Sequence, residues 1–150
     1  MGDNGAVNVR SLMLEMLARR EHSSWELHRK LTARGYQSNL IEAVLAELER
    51  DNLQSDQRFA ESYIRSRAER GFGPRRIAAE LKERGISEAL IADGLIQERD
   101  WDNQAMKARS KRFGQALPSS LGERARQMRF LQYRGFTQEQ INRALSGIDD

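Results

Sequence analysis

Few residues in the chain have types and spacings suited to chemistry. His22 and His28 lie six residues apart, and Glu80 and Glu83 are one helical turn apart, so either pair could in principle supply an acid, a base or a metal ligand. Neither develops into a site. The histidines lack the set of partners that a general base or metal ligand needs and read as surface helix residues, while the glutamates read as the charged face of a helix. No nucleophile motif stands out. The segment Gly71-Phe72-Gly73-Pro74 has the glycines of a phosphate loop, but position 76 is Arg where a dinucleotide loop needs Gly, and Glu61 to Arg70 before it has helical rather than strand spacing. The stronger chemical signal is cationic. From Arg99 to Arg134 nine basic residues face only Asp100, Asp102 and Glu123, whereas from Gly35 to Gln57 five acids face Arg50 alone. That asymmetry points one region of the chain at an anionic partner. Trp25 and Trp101 could stack on bases, but core packing is the expected role of each.

The elements that carry these residues are set by a repeat. Arg34-Gly35-Tyr36 returns as Arg84-Gly85-Ile86 and as Arg134-Gly135-Phe136, at a constant interval of 50 residues. Each copy has Leu three residues before its Gly (Leu31, Leu81, Leu131), Ile six after it (Ile41, Ile91, Ile141) and Leu ten after it (Leu45, Leu95, Leu145). A period of this length marks tandem supersecondary units. The Gly ends a helix in the left-handed conformation, and the apolar residue after it folds back onto that helix, which is why the column is never polar.

Within the first unit a helix is predicted from about Val9 to Arg20, with Leu12, Met13, Met16 and Leu17 on its apolar side. A helical hairpin follows, its halves capped by Ser24 and Ser38, with Leu40, Ile41, Val44, Leu45 and Leu48 as the stripe of the second helix. Ser55 or Asp56 caps the next helix, which stops at Gly71; Pro74 opens the one after it. The second hairpin has Ile77, Leu81, Ile91, Leu95 and Ile96 as its interior. The third unit runs from Trp101 to Phe113, is interrupted from Gly114 to Ser120, and resumes from Leu121 to Arg134. Thr137 to Gln140 then fit a capping box, and Gly147 ends the last helix. The expected fold is all-α: three tandem three-helix repeats, at 9–50, 51–98 and 99–147, in an elongated, curved array, with loose tails at 1–8 and 148–150.

Composition agrees. The chain of 150 residues has two prolines, no cysteine and 31% charged residues, with Val and Thr scarce, which favours helices over sheets and excludes disulfides and thiolate metal sites. No apolar run is long enough to span a bilayer, so a cytoplasmic protein without membrane contact is expected.

The segment Asp56-Gln57-Arg58-Phe59-Ala60, then Arg65-Ser66-Arg67, Gly71-Phe72-Gly73-Pro74-Arg75-Arg76-Ile77, Glu80-Leu81 and Arg84-Gly85-Ile86 resembles the central signature of the RecX regulatory proteins of bacterial recombination. Leu17-Ala18-Arg19-Arg20 with Glu26-Leu27 at the front, and Leu131-Gln132-Tyr133-Arg134-Gly135-Phe136 at the back, extend the resemblance from about Leu12 to Leu145. It implies three tandem three-helix repeats and a modulator of RecA that docks in the groove of its filament on single-stranded DNA. It also implies inhibition of strand exchange, ATP hydrolysis and co-protease activity in DNA repair and the SOS response, and some DNA affinity; with no nucleophile motif in the chain, neither catalysis nor a cofactor is expected. Given such a partner, Arg65, Arg67, Arg70, Arg75 and Arg76 are candidates for filament contact. Lys107, Arg109, Lys111, Arg112, Arg124, Arg126 and Arg129, denser and less neutralised, are candidates for weak, salt-sensitive binding of single-stranded DNA. Nothing displays a dimer seam, so a monomer is expected. Two alternatives compete. A helix-turn-helix DNA reader uses the same hairpin, but its reading helix would carry Glu42, Glu47 and Glu49, or Glu88, Asp93 and Glu98, against the phosphates. A scaffold with no DNA role would direct the same bases at an acidic protein.

Overall fold

The computed structural model describes residues 2–98 and 100–146, with side chains from Asn4 onward. Among the described residues it is all-helical. The helices are α1 (Gly2–Arg19), α2 (Ser24–Ala33), α3 (Ser38–Arg50), α4 (Asp56–Glu69), α5 (Pro74–Glu83), α6 (Glu88–Gln97), α7 (Trp101–Phe113), α8 (Leu121–Arg134) and α9 (Gln138–Ser146). None of them is long and apolar enough to cross a membrane. The described backbone forms two compact units, one of residues 2–62 with Leu81–Ile91, the other of Tyr63–Glu80 with residues 92–98 and 100–146.

In the first unit α1 and α2 both pack on α3, and Val9, Met13, Leu27, Leu31, Ile41, Val44, Leu45 and Leu48 close a core between them. In the second unit α7, α8 and α9 pack mutually around Ala105, Leu131, Phe136, Ile141, Ala144 and Leu145. Also in the second unit, α4 and α6 approach closely at Gly94, where an added Cβ would lie 2.6 Å from Ile64 Cδ1.

The repeated turn forms as predicted. Gly35, Gly85 and Gly135 have φ of 92°, 79° and 98°, and the amides of Tyr36, Ile86 and Phe136 donate to the carbonyls of Leu31, Leu81 and Leu131, closing the same six-residue loop each time. Gly71 ends α4 in the same way, with Phe72 N–H donating to Arg67 O, and Pro74 opens α5. The capping box at Thr137 and Gln140 is present in both directions, and Ser55 Oγ accepts from Arg58 N–H at the start of α4.

Several expectations are corrected. Residues 2–8 are not a loose tail but the first turns of α1: Ala6 packs against the core ahead of Val9, and Gly5 lets the helix come so close to α3 that a Cβ there would lie 3.1 Å from Leu40 Cδ2. Ser23, not Ser24, caps α2, in a reciprocal box with Glu26. Ser38 caps nothing; Gln37 holds that position without a side-chain bond, and Ser38 Oγ donates to Glu42 instead. Ile96 is 73% exposed rather than interior, since it lies about 140° around the helix from Ile91. The expected helix end at Gly147 and the tail at 148–150 lie outside the described residues.

Candidate functional site

The turn between α4 and α5 gathers most of the first cationic set. Gly71 and Gly73 bracket Phe72, and three guanidinium groups surround its ring: Arg67 at 3.8 Å, Arg76 at 4.6 Å and Arg134 at 4.7 Å from the centroid. Glu80 accepts from Arg67 Nε at 2.9 Å and Nη2 at 2.8 Å, from Tyr63 Oη at 2.8 Å and from Arg76 Nε at 3.3 Å. Partial burial alone would raise the Glu80 pKa, but these donors outweigh it and hold the carboxyl below its ordinary range. Of the five residues predicted to contact a filament, Arg67 and Arg76 are therefore tied into this cluster, while Arg65, Arg70 and Arg75 are exposed.

The same turn is bonded to the end of α8 through the backbone. Gly73 N–H donates to Arg134 O at 2.7 Å and Arg75 N–H to Gly135 O at 2.9 Å. The approach leaves no room for side chains: a Cβ on Gly73 would fall 2.5 Å from Gly135 C, and one on Gly135 would fall 2.6 Å from Arg76 N. Glycine is required on both sides of this contact.

The second cationic set separates into three groups. Arg109 is buried. Its guanidinium donates to the carbonyls of Ala116 at 3.0 Å and Gln115 at 3.2 Å, to Ser110 Oγ at 3.3 Å and to Gln127 Oε1 at 3.5 Å, fastening the loop between α7 and α8. Position 109 falls on the stripe of Trp101, Ala105 and Ala108, the one sequence signal that marks it as inward-facing. Arg126 pairs with Glu123 at 3.2 Å and lies over Phe113, and Arg124 and Arg129 share its helix. Lys107, Lys111 and Arg112 are exposed on α7, and with Arg70, Arg134 and Phe130 they line a groove of about 400 Å³. The remaining charge in that lining is Glu69. Sequence reasoning did not single out Arg134, Phe72 or Phe130 as site residues; the Arg of the repeated turn was the available signal for the first.

The histidines differ from each other. His22 is buried in the turn after α1, not on a helix surface. Its Nδ1 lies 3.1 Å from Arg20 O and its Nε2 lies 3.1 Å from Lys30 Nζ, so a neutral ring donates to the carbonyl and accepts from the ammonium. Burial, together with the charges of Arg20 and Lys30, pushes its pKa below 6.5. His28 stays on α2 beside Ser38 and Thr32. Trp101 packs against the core of the second unit and donates from Nε1 to Leu95 O, whereas Trp25 is 40% exposed under the Arg29 guanidinium.

Family comparison adds to this geometry. Residues 10–48, 55–95 and 100–145 match the models of the first, second and third three-helix domains of RecX. The chain belongs to the RecX family. A protein named regulatory protein RecX in Halorhodospira halophila is 43% identical over 100% of this chain and 95% of its own length. One of the same name in Pseudomonas savastanoi is 44% identical over 94% of this chain and 92% of its own. The crystal structure of RecX from Lactobacillus salivarius superposes with a TM-score of 0.84 over 98% of each chain at 20% identity, which establishes likeness of fold. As a RecX-family member the chain has a regulatory role.

Proposed function

We propose that this protein binds the RecA filament on single-stranded DNA and restrains its strand exchange, ATP hydrolysis and co-protease activities, acting in the cytoplasm as a monomer with no cofactor or catalysis of its own. The observation that carries this is 43% identity along the whole chain to a protein named regulatory protein RecX. The repeats at 9–50, 51–98 and 99–147 are the modules of that reading. Exposed Arg65, Arg70 and Arg75 are its filament candidates. The helix-turn-helix alternative is disfavoured by Glu42, Glu47 and Glu49 on α3 and by Glu88 and Asp93 on α6, which would meet phosphate with like charge. The direct test is RecA ATP hydrolysis on single-stranded DNA with the protein titrated in. Saturable inhibition is expected, and an unchanged rate at excess protein would overturn the proposal.

A further inference from the structure

We propose that the groove bounded by the end of α4, the outer face of α7 and the end of α8 seats the sugar-phosphate backbone of a single nucleic-acid strand. This deepens the proposed function, a protein acting where single-stranded DNA lies, and rests on it, giving a place to the DNA contact expected from the sequence. It also redraws that contact: Arg70 and Arg134 enter, and Arg109, Arg124, Arg126 and Arg129 leave.

Charge is the first support. Five cationic side chains, Arg70, Lys107, Lys111, Arg112 and Arg134, line the groove against the single carboxylate of Glu69. Among the described residues none of these five pairs with a carboxylate, whereas Arg67, Arg76, Arg126 and Arg143 all do. The positive potential is therefore left for a ligand to neutralise.

Preorganisation is the second. The Arg134 guanidinium lies 4.7 Å from the Phe72 ring and 5.0 Å from the Phe130 ring, and its Nη1 donates to Arg70 O at 3.0 Å. Arg112 lies 5.7 Å from the Phe130 ring. Much of the conformational entropy of Arg134 is thus already lost before any ligand arrives, and its remaining N–H groups form a fixed fork of the kind that suits phosphate oxygens. With both guanidinium groups already on Phe130, a base has no need to stack there.

The third support is layout. Lys107 and Lys111 follow one another by a helical turn, about 6 Å along α7, with Arg112 beside them, so the charges form a row rather than a cage around one ion. Gln104 is the one amide in the lining, which leaves little to read base edges. The groove has a volume of about 400 Å³, and a single strand, more flexible than a duplex, can bend to bring successive phosphates onto so short a row of charges. An acidic peptide is the competing polyanion. Its carboxylates sit on side chains that must be ordered on binding, a cost of roughly 1.5–2 kcal/mol for each buried Glu, whereas a nucleic acid carries its charges on the backbone itself.

The test uses the full chain without RecA, measuring anisotropy of a fluorescent oligothymidylate across a salt series. Lys107→Glu with Lys111→Glu should weaken binding at least tenfold; Arg124→Glu with Arg129→Glu, the same charge change outside the groove, should weaken it less than threefold. The milder pair Lys107→Gln with Lys111→Gln should lower the slope of log affinity against log salt by about 1.4, two contacts at about 0.7 each for a single strand. All four side chains lie on helix surfaces, and circular dichroism checks that helicity is kept. Equal losses in the two Glu pairs would overturn the groove assignment, as would no binding by the wild type at low salt. Displacement of the oligonucleotide by polyglutamate, ATP or inorganic phosphate at equal or lower concentration would also overturn it, giving the groove to another anion. Inhibition of RecA ATP hydrolysis is assayed on the same variants, so a failed groove with retained inhibition leaves the proposed function standing.

Discussion

The turn at Gly35 and the turn at Gly135 have the same sequence logic, the same positive φ and the same backbone bonds, yet their surroundings differ. A Cβ at Gly35 would meet nothing within 4 Å; at Gly135 it would collide with the backbone of Arg76. In the first turn glycine serves its own helix. In the second it also admits a neighbouring chain segment, since Arg75 N–H bonds to Gly135 O. Gly85 falls between the two, with Trp25 Cβ and Cγ occupying the space. One motif has thus been kept for conformation in every copy and recruited for packing in two of them.

This contrast can be broken by substitution. Gly135→Ala should cost about 3–5 kcal/mol, the left-handed strain plus a clash that no side-chain rotation relieves, and chemical denaturation should show the largest loss of the series. Gly85→Ala should follow at about 2–4 kcal/mol, because the Trp25 ring can turn away from the added methyl although its Cβ, 2.5 Å off, moves only with α2. Glu80→Gln sharpens the picture around Gly135 by removing the charge that orders Arg67 and Arg76; in this partly exposed setting a loss of about 1–2 kcal/mol is expected. Gly35→Ala should cost only about 1 kcal/mol. A loss at Gly35 equal to that at Gly135 would remove the distinction.

Titration offers a finer comparison between the regions. His22 in the first unit has a lowered pKa, so its contribution is complete above its ordinary value of 6.5 and is lost as pH falls through the folded value. Glu80 in the second unit also has a lowered pKa, so its contribution is complete above 4.5 and is lost only below that. Stability should therefore begin to fall just below pH 6.5 and fall again below 4.5, and His22→Gln should remove the first decline alone. A first decline that survives this substitution would show that His22 is not its source.

The helices and their turns were legible because each leaves a local mark: a positive φ asks for Gly, a cap asks for a hydroxyl, and an apolar stripe repeats at helical spacing. What escaped was decided by neighbours distant in sequence. Gly2 to Gly5 looked incapable of burial, although a small residue at position 5 is what allows α1 to lie so near Leu40. Arg109 counted as one more surface cation, although its place on the Ala105 and Ala108 stripe sends it inward to the carbonyls of Gln115 and Ala116. The candidate site was half legible: the excess charge on α7 was visible, but the part played by Arg134 depends on Phe72, 62 positions earlier.

The bond from Gly73 to the Arg134 carbonyl gives α8 a fixed phase. Inserting one residue between Leu121 and Tyr133 would rotate everything beyond it by about 100°, withdrawing that carbonyl from Gly73 and swinging the guanidinium off Phe72 in one stroke. Length changes in this protein are therefore best absorbed between Leu117 and Ser120, after the carbonyls that Arg109 holds and ahead of the helix whose end has to arrive in step.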